Sequence, residues 1–93
     1  MTVYKYPIKP NDYFSLTLPV GAKILTVDSQ RGQGGQPQLW ALVDEKESRT
    51  ETRRFRMAGT GHPIGDSPDR LEFVSTFQQE GGALIFHVFE IKP

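Results

Sequence analysis

The sequence predicts an all-β fold: a single small domain, residues 1–93, of six or seven mostly antiparallel strands that form a sandwich or a partly open barrel. Apolar residues alternate with polar ones at a period of two along several segments, which is the pattern of strands with one buried face. Clusters of Gly, Pro, Asp and Ser separate these segments at the spacing typical of sandwiches and barrels. No apolar pattern repeats convincingly at the helical period.

The N-terminal segments predict three strands. Residues 3–6 are expected at a sheet edge, because Pro7 is tolerated only at an edge or a strand end. The alternation over residues 13–18 predicts the second strand. Pro19–Gly21 then suits a type I turn, with Pro at its second position and Gly at its fourth. We therefore expect residues 22–28 to form the strand that returns from this reversal.

The middle of the chain predicts two further strands. Residues 30–37 are too rich in Gly for regular structure and predict a mobile hairpin loop. The unbroken apolar run at 39–43 predicts a strand that is buried on both faces. Residues 50–58 predict a strand with mixed faces, in which Phe55 and Met57 point to one side.

The C-terminal part begins with the longest irregular stretch, residues 59–70. Within it, Ser67 before Pro68 predicts the start of one short helical turn. The next strand is expected to place four residues on one face: Leu71, Phe73, Ser75 and Phe77. After a hairpin turn at 80–82, residues 83–91 are apolar on both sides and predict a strand near the centre of a sheet.

Size and composition limit the possible functions. A chain of 93 residues buries a thin core and has no cysteine for disulfides, so we expect a homo-oligomer. Acidic and basic residues cancel, so binding to nucleic acid is not expected. The chain has neither an apolar run of membrane-spanning length nor a signal-peptide pattern at its N-terminus, which predicts no membrane association and a cytoplasmic location.

Four arginines form the main basic cluster: Arg49, Arg53, Arg54 and Arg56. On a strand, Arg54 and Arg56 share one face, where their guanidinium groups suit a phosphate or a carboxylate. The alternative is a solvated edge strand, whose charges prevent edge-to-edge aggregation and are neutralised by nearby glutamates.

The Gly59-Thr60-Gly61-His62 segment is the second candidate for ligand binding. Two glycines around a hydroxyl let the backbone approach an anion, and successive N–H groups can form an anion-binding nest. Together with Arg56, this loop is a candidate phosphate site. The alternative is that the glycines serve only a tight turn or bulge beside the preceding strand.

The remaining candidates argue against catalysis. His62, Asp66 and His87 have no spacing typical of a metal site, so we expect neither a metal nor a cofactor. No cysteine or Gly-x-Ser-x-Gly elbow supplies a nucleophile, and we expect no enzymatic activity. Trp40 lies in an apolar run and is a candidate either for core packing or for contact with a ligand or partner.

Five segments in combination resemble a family of small phage and prophage accessory proteins: Tyr4–Ile8, Leu16–Leu25, Leu39–Val43, Gly59–Ile64 and His87–Phe89. The resemblance implies an accessory protein in the cytoplasm of an infected bacterial host. Proteins of this kind are often counter-defence factors, which either block a host protein or sequester a nucleotide signal.

Three hypotheses for the function follow. The first is a non-enzymatic inhibitor that binds a host protein. The second is an oligomer that sequesters a nucleotide, with Arg54, Arg56 and the loop at 59–62 holding phosphate and Trp40 or a tyrosine stacking on the base. The third is a minor component of the virion.

Overall fold

The computed structural model describes residues 1–30 and 35–93, except for the side chain of Glu80. It confirms the all-β prediction, with seven strands in the described part of the chain and short 3₁₀ turns at Pro68–Arg70 and Glu80–Gly82. The strands are β1 (Thr2–Pro7), β2 (Tyr13–Pro19), β3 (Lys23–Ser29), β4 (Pro37–Val43), β5 (Thr50–Gly59), β6 (Leu71–Gln79) and β7 (Leu84–Ile91). Within the described ranges, no helix is long and apolar enough to cross a membrane.

The strands form two antiparallel sheets that do not close into a barrel. Sheet A has the order β1-β4-β3, and sheet B has the order β2-β5-β7-β6. The predicted edge position of β1 and the predicted central position of β7 are confirmed. Half of the predicted loop at 30–37, residues 31–34, lies outside the described residues.

The core lies between the two sheets because alternate residues of each strand point inward. In β4, the inward residues Leu39, Ala41 and Val43 have no exposed surface. Leu18 on β2 and Phe55 on β5 are equally buried in sheet B. Burial of this apolar surface is the main stabilising contribution to the fold.

The two sheets meet along one side, where β3 lies beside β6. Side chains of β3 and β6 connect the strands there. The Ser75 hydroxyl forms hydrogen bonds with the N–H and the carbonyl oxygen of Val27. The Ser29 hydroxyl donates to the Gln78 carbonyl oxygen at 3.0 Å. Since β3 and β6 close this side, β1 and β2 are the edge strands on the opposite, open side.

The expected return of the third strand onto the second is wrong. β3 pairs with β4 in sheet A, whereas β2 pairs with β5 in sheet B, so the chain crosses between sheets after β2. The turn also begins one residue later than expected: the Ala22 N–H donates to the Pro19 carbonyl oxygen at 3.1 Å. Gly21 takes the third position with φ of 81°, a backbone angle that suits glycine.

The predicted common face of Leu71, Phe73, Ser75 and Phe77 is also wrong. The pairing of β6 with β7 shifts by one residue between Phe73 and Ser75, so Val74 is the extra residue of a β-bulge. The bulge reverses the alternation, so the residues before it and those after it share no common face. Ser75 consequently reaches β3, and Phe77 is buried in the core.

Candidate binding cleft

A cleft of about 520 Å³ lies on the outer face of sheet B. The segment between β5 and β6 lies against this face and contributes three of the lining residues, Asp66, Ser67 and Arg70. The strands contribute the rest: Tyr13, Phe14, Ser15, Arg54, Phe55 and Ile91. The cleft is therefore formed where strands β2, β5 and β7 meet one irregular segment.

Arg54 is an exposed cation of the cleft. It lies on β5 directly opposite Ser15 of β2 and opposite Ile91 of β7, so the three side chains form one row across the outer face. Within the described ranges, its guanidinium has neither an ion-pair partner nor a hydrogen-bond acceptor. A planar group with five donors, exposed in a cleft, is suited to a phosphate or a carboxylate.

Arg70 supplies a second positive charge to the same cleft. Its Nε and Nη2 atoms donate to the carbonyl oxygen of Lys92 at 3.3 and 2.9 Å, and these bonds hold the side chain in place. Ser67 precedes the 3₁₀ turn that carries Arg70, and its hydroxyl makes no capping bond to that turn. Ser67 is thus a further donor or acceptor at the cleft wall.

Arg56 has a structural role, although its side chain points to the same face of the sheet as Arg54. The residue is only 7% exposed, and its Nη1 atom donates to the carbonyl oxygens of Met57 and Asp12 at 2.6 and 3.2 Å. Nη2 donates to the carbonyl oxygen of Pro63 at 3.2 Å. These bonds tie β5 both to the segment before β2 and to the loop before β6, so the guanidinium is directed at carbonyl oxygens rather than at solvent.

Tyr13 and Asp66 cover the Arg56 guanidinium. The Tyr13 ring centroid lies 5.0 Å from Cζ of Arg56, within the range of a cation–π contact. Asp66 Oδ1 lies 3.5 Å from Nε of Arg56, an ion-pair distance, although Nε has no hydrogen-bond partner among the described atoms. The Tyr13 hydroxyl donates to Asp66 at 2.8 Å, and this bond to a carboxylate raises the pKa of Tyr13. The negative charge of Asp66 is thereby compensated within the cleft wall.

The edge position in the alternative interpretation of the arginine cluster is wrong, because β5 lies between β2 and β7 in the interior of sheet B. The expected neutralisation by nearby glutamates is present, since Glu51 lies 3.7 Å from Arg53 and Glu47 pairs with Arg49. Arg53 points to the opposite face from Arg54, where it forms a two-pronged ion pair with Glu90 and donates to the Ala22 carbonyl oxygen at 2.8 Å. Arg49 pairs with Glu47 in the turn before β5. The cluster is therefore distributed among separate sites.

The Gly59–His62 segment forms a tight turn, as the second interpretation of this loop proposed. The His62 N–H donates to the Gly59 carbonyl oxygen at 3.1 Å, and Gly61 has φ of 85°. The Thr60 N–H donates to the carbonyl oxygen of Ile85 at 3.2 Å, so two N–H groups of the expected nest, those of Thr60 and His62, are already engaged. Neither this turn nor Arg56 is among the residues that line the cleft.

His87 lies on the outer face of β7 between two hydroxyl groups. Its Nε2 atom is 2.7 Å from the Thr60 hydroxyl, and its Nδ1 atom is 2.9 Å from the Thr76 hydroxyl. These bonds connect the turn to strands β6 and β7. In the described part of the chain, no three His, Cys, Asp or Glu side chains are grouped as metal ligands would be.

Trp40 lies in sheet A rather than near the cleft. It pairs with Lys5 of β1 and Thr26 of β3 and is partly buried, on the face of β4 opposite the core residues Leu39 and Ala41. The structure therefore brings Trp40 to neither the arginines nor the glycine turn.

The sequence comparisons identify the family. The family model described as a domain of unknown function, DUF7352, matches residues 1–93. The chain belongs to the DUF7352 family. No curated protein and no solved structure matches it.

The sequence singled out only Arg54 among the residues that line the cleft of this DUF7352 domain. Tyr13, Ser15, Ser67 and Arg70 were not predicted as site residues. The pair on β2, the pair at the 3₁₀ turn and Arg54 on β5 are far apart in sequence, and no local pattern connects these three segments. The single available signal was the strand alternation, which places Arg54 on an outward face.

Proposed function

We propose that this domain acts by binding rather than by catalysis, and that it holds a phosphate-bearing small molecule of the nucleotide class in the outer cleft of sheet B. The observation that carries the proposal is the exposed guanidinium of Arg54, which is unpaired among the described residues and shares the cleft with Arg70. Bidentate hydrogen bonds from arginine to phosphate are among the strong interactions in proteins.

The other groups of the cleft suit the same class of ligand. Ser15 and Ser67 offer hydroxyls beside the arginines, as polar partners for phosphate or ribose oxygens. Tyr13 is 54% exposed at the cleft and replaces Trp40 as the candidate for stacking on a base. In the cytoplasm of an infected bacterium, such a protein would act in counter-defence by sequestering a nucleotide signal.

The test is a thermal-shift screen against mononucleotides, cyclic dinucleotides and pyrophosphate. A ligand present at about 100 times its dissociation constant stabilises the folded state by about 2.7 kcal/mol, which raises the melting temperature of a small domain clearly. We expect one nucleotide class to give this shift and Arg54→Gln to abolish it. Lys46→Gln removes one positive charge from the turn at 44–47 and should leave the shift unchanged.

Two outcomes contradict the proposal. In the first, no compound in the panel raises the melting temperature. In the second, a ligand does so equally for wild type and for Arg54→Gln, which places its site elsewhere. Isothermal titration calorimetry of any compound that gives a shift supplies the affinity and the number of sites.

Inhibition of a host protein is the second candidate, and exposed apolar side chains on β6 and β7 favour it. Phe73 is 60% exposed and Ile85 is 39% exposed, although both lie on strands of sheet B. Large exposed apolar residues in a sheet often mark a protein interface. If this candidate is correct, Phe73→Ser abolishes binding to the purified host protein while Arg54→Gln does not. The virion hypothesis stays a prediction, which mass spectrometry of purified particles would check.

A further inference from the structure

We propose that the edge strand β2 pairs with β2 of a second copy of this chain, around a two-fold axis at Ser15, so that two copies of sheet B form one continuous eight-stranded sheet. The inference concerns the assembly of the protein and does not depend on the ligand of the cleft. It starts from the four edge strands of the two sheets, which are β1, β2, β3 and β6.

Three of these four edges are protected. β3 and β6 lie against each other and are joined by the hydroxyls of Ser75 and Ser29. β1 carries Lys5 and ends at Pro7, and a lysine and a proline are common means of preventing edge-to-edge pairing. Its sequence therefore disfavours the addition of another strand.

β2 has none of these protections along its length. The strand Tyr13–Pro19 contains no charged residue, and its only proline is the last residue. Its pairing with β5 runs through all seven residues without a shift, so no bulge bends the edge away. A regular, uncharged edge of this kind is a template for pairing with another strand.

The hydrogen bonds at both ends of β2 show which backbone groups face the open edge. The Met57 N–H donates to the Asp12 carbonyl oxygen, and the Val20 N–H donates to the Arg49 carbonyl oxygen. In an antiparallel ladder, bonded residues alternate with residues whose backbone groups point away. The even-numbered residues of β2 therefore bond to β5, and the N–H and C=O groups of Tyr13, Ser15 and Thr17 point to the open edge.

These three residues determine the register of the proposed pairing. If Ser15 pairs with Ser15 of the second copy, Tyr13 pairs with Thr17 in both directions, and all the outward groups are used in about six hydrogen bonds. If the two-fold axis were instead at Leu16, Tyr13 would lie opposite Pro19. Pro19 has no N–H, and its carbonyl oxygen already accepts from Ala22. The register centred on Ser15 therefore gives hydrogen-bond partners to more of the outward N–H and C=O groups of β2.

The side chains of β2 are complementary to themselves in this register. Phe14 and Leu16 point toward the core but are only partly buried at the open side, and each would cover the other across the two-fold axis. On the outer face, Ser15 meets Ser15. The two Arg54 side chains belong to strands three spacings apart, about 14 Å, which exceeds the screening length at physiological salt. No like charges are therefore brought into contact.

The arrangement would also join the two clefts. Ser15 lines the cleft beside Arg54, so the two-fold axis would place both clefts side by side on one face of the continuous sheet. This consequence, unlike the pairing itself, rests on the proposed binding function. It would favour a ligand with two phosphate groups over a ligand with one.

The first experiment measures the mass in solution by light scattering, without any ligand. We expect twice the 10.5 kDa of one chain for the wild type. Thr17→Pro removes an outward N–H that the fold does not use, so it should give a folded monomer with an unchanged circular dichroism spectrum. Thr17→Ala keeps the N–H and should stay dimeric.

A second experiment tests the register and does not depend on proline being tolerated. Ser15→Lys or Ser15→Glu alone would place like charges opposite each other and should weaken the dimer at least about tenfold. A mixture of the two variants should form the heterodimer. Thr52→Lys, on the neighbouring strand β5, should leave the dimer unchanged.

Three results would overturn the proposal. The wild type could be a monomer at all concentrations up to about 1 mM, beyond which pairing is too weak to matter. Thr17→Pro could remain a dimer. The mixed Lys and Glu variants could associate no better than either variant alone, which would exclude a two-fold axis at Ser15.

Discussion

The Ser75 hydroxyl on β6 binds both backbone groups of Val27 on β3. It donates to the Val27 carbonyl oxygen at 2.7 Å and lies 3.0 Å from the Val27 N–H, which donates to it. A single side chain thus takes the place of a backbone ladder between the two sheets. Because the contact is partly buried, water replaces it poorly when it is lost.

We expect Ser75→Ala to lower the free energy of unfolding by about 2 kcal/mol, since two polar groups would lose their partner. Urea denaturation at a fixed protein concentration measures this loss. Ser29→Ala removes the exposed hydrogen bond from β3 to Gln78 on β6. The loss in unfolding free energy should be smaller, about 0.5–1 kcal/mol. If Ser75→Ala costs no more than Ser29→Ala, the hydroxyl of Ser75 does not hold the sheets together.

The positions of the strands could be predicted because strand alternation is a local property. The apolar run of β4, the edge position of β1 and the central position of β7 each follow from a few consecutive residues and their neighbouring prolines or glycines. The exposed position of Arg54 follows from the same alternation.

The assignment of strands to sheets could not be predicted, because it depends on distant contacts. The turn after Pro19 is compatible with a hairpin or with a crossing between sheets, and only the pairing partners β5 and β4 decide between them. The bulge at Val74 had one signal in the sequence: Ser75 is polar within a face expected to be apolar. The cleft depends on where the segment before β6 packs, which no periodic pattern encodes.

The same substitution should change stability far more at Arg56 than at Arg54. In Arg56→Lys, one ammonium group cannot reach the carbonyl oxygens of Asp12, Met57 and Pro63, so we expect a loss of about 2–3 kcal/mol in unfolding free energy. Arg54→Lys changes an exposed side chain and should stay within about 0.5 kcal/mol of wild type.

Urea denaturation measures both variants of this pair. Hydrogen exchange adds a local readout, because the Met57 N–H bonds to the Asp12 carbonyl oxygen and should exchange faster in Arg56→Lys. Equal stability of the two variants would show that the Arg56 guanidinium does not tie β5 to the neighbouring segments.

The turn before β5 provides a pH-dependent prediction. Arg49 donates to Glu47 through Nη2 at 2.7 Å and Nε at 3.2 Å, and its backbone N–H donates at 3.0 Å. These bonds to Arg49 lower the pKa of Glu47 to about 2. We expect NMR titration of wild type to give this value, and Arg49→Gln to return the pKa toward its usual range of about 4.3.

The sign of the stability change follows from the lowered pKa. The folded state binds the proton of Glu47 less readily than the unfolded chain, so the contribution of the pair is complete above the ordinary pKa of about 4.3. It is lost as the pH falls toward about 2. The stability difference between wild type and Arg49→Gln should therefore shrink over this window, whereas Lys46→Gln should leave the Glu47 titration unchanged. A titration midpoint near pH 4 for Glu47 in the wild type would contradict the hydrogen bonds between Arg49 and Glu47 in this turn.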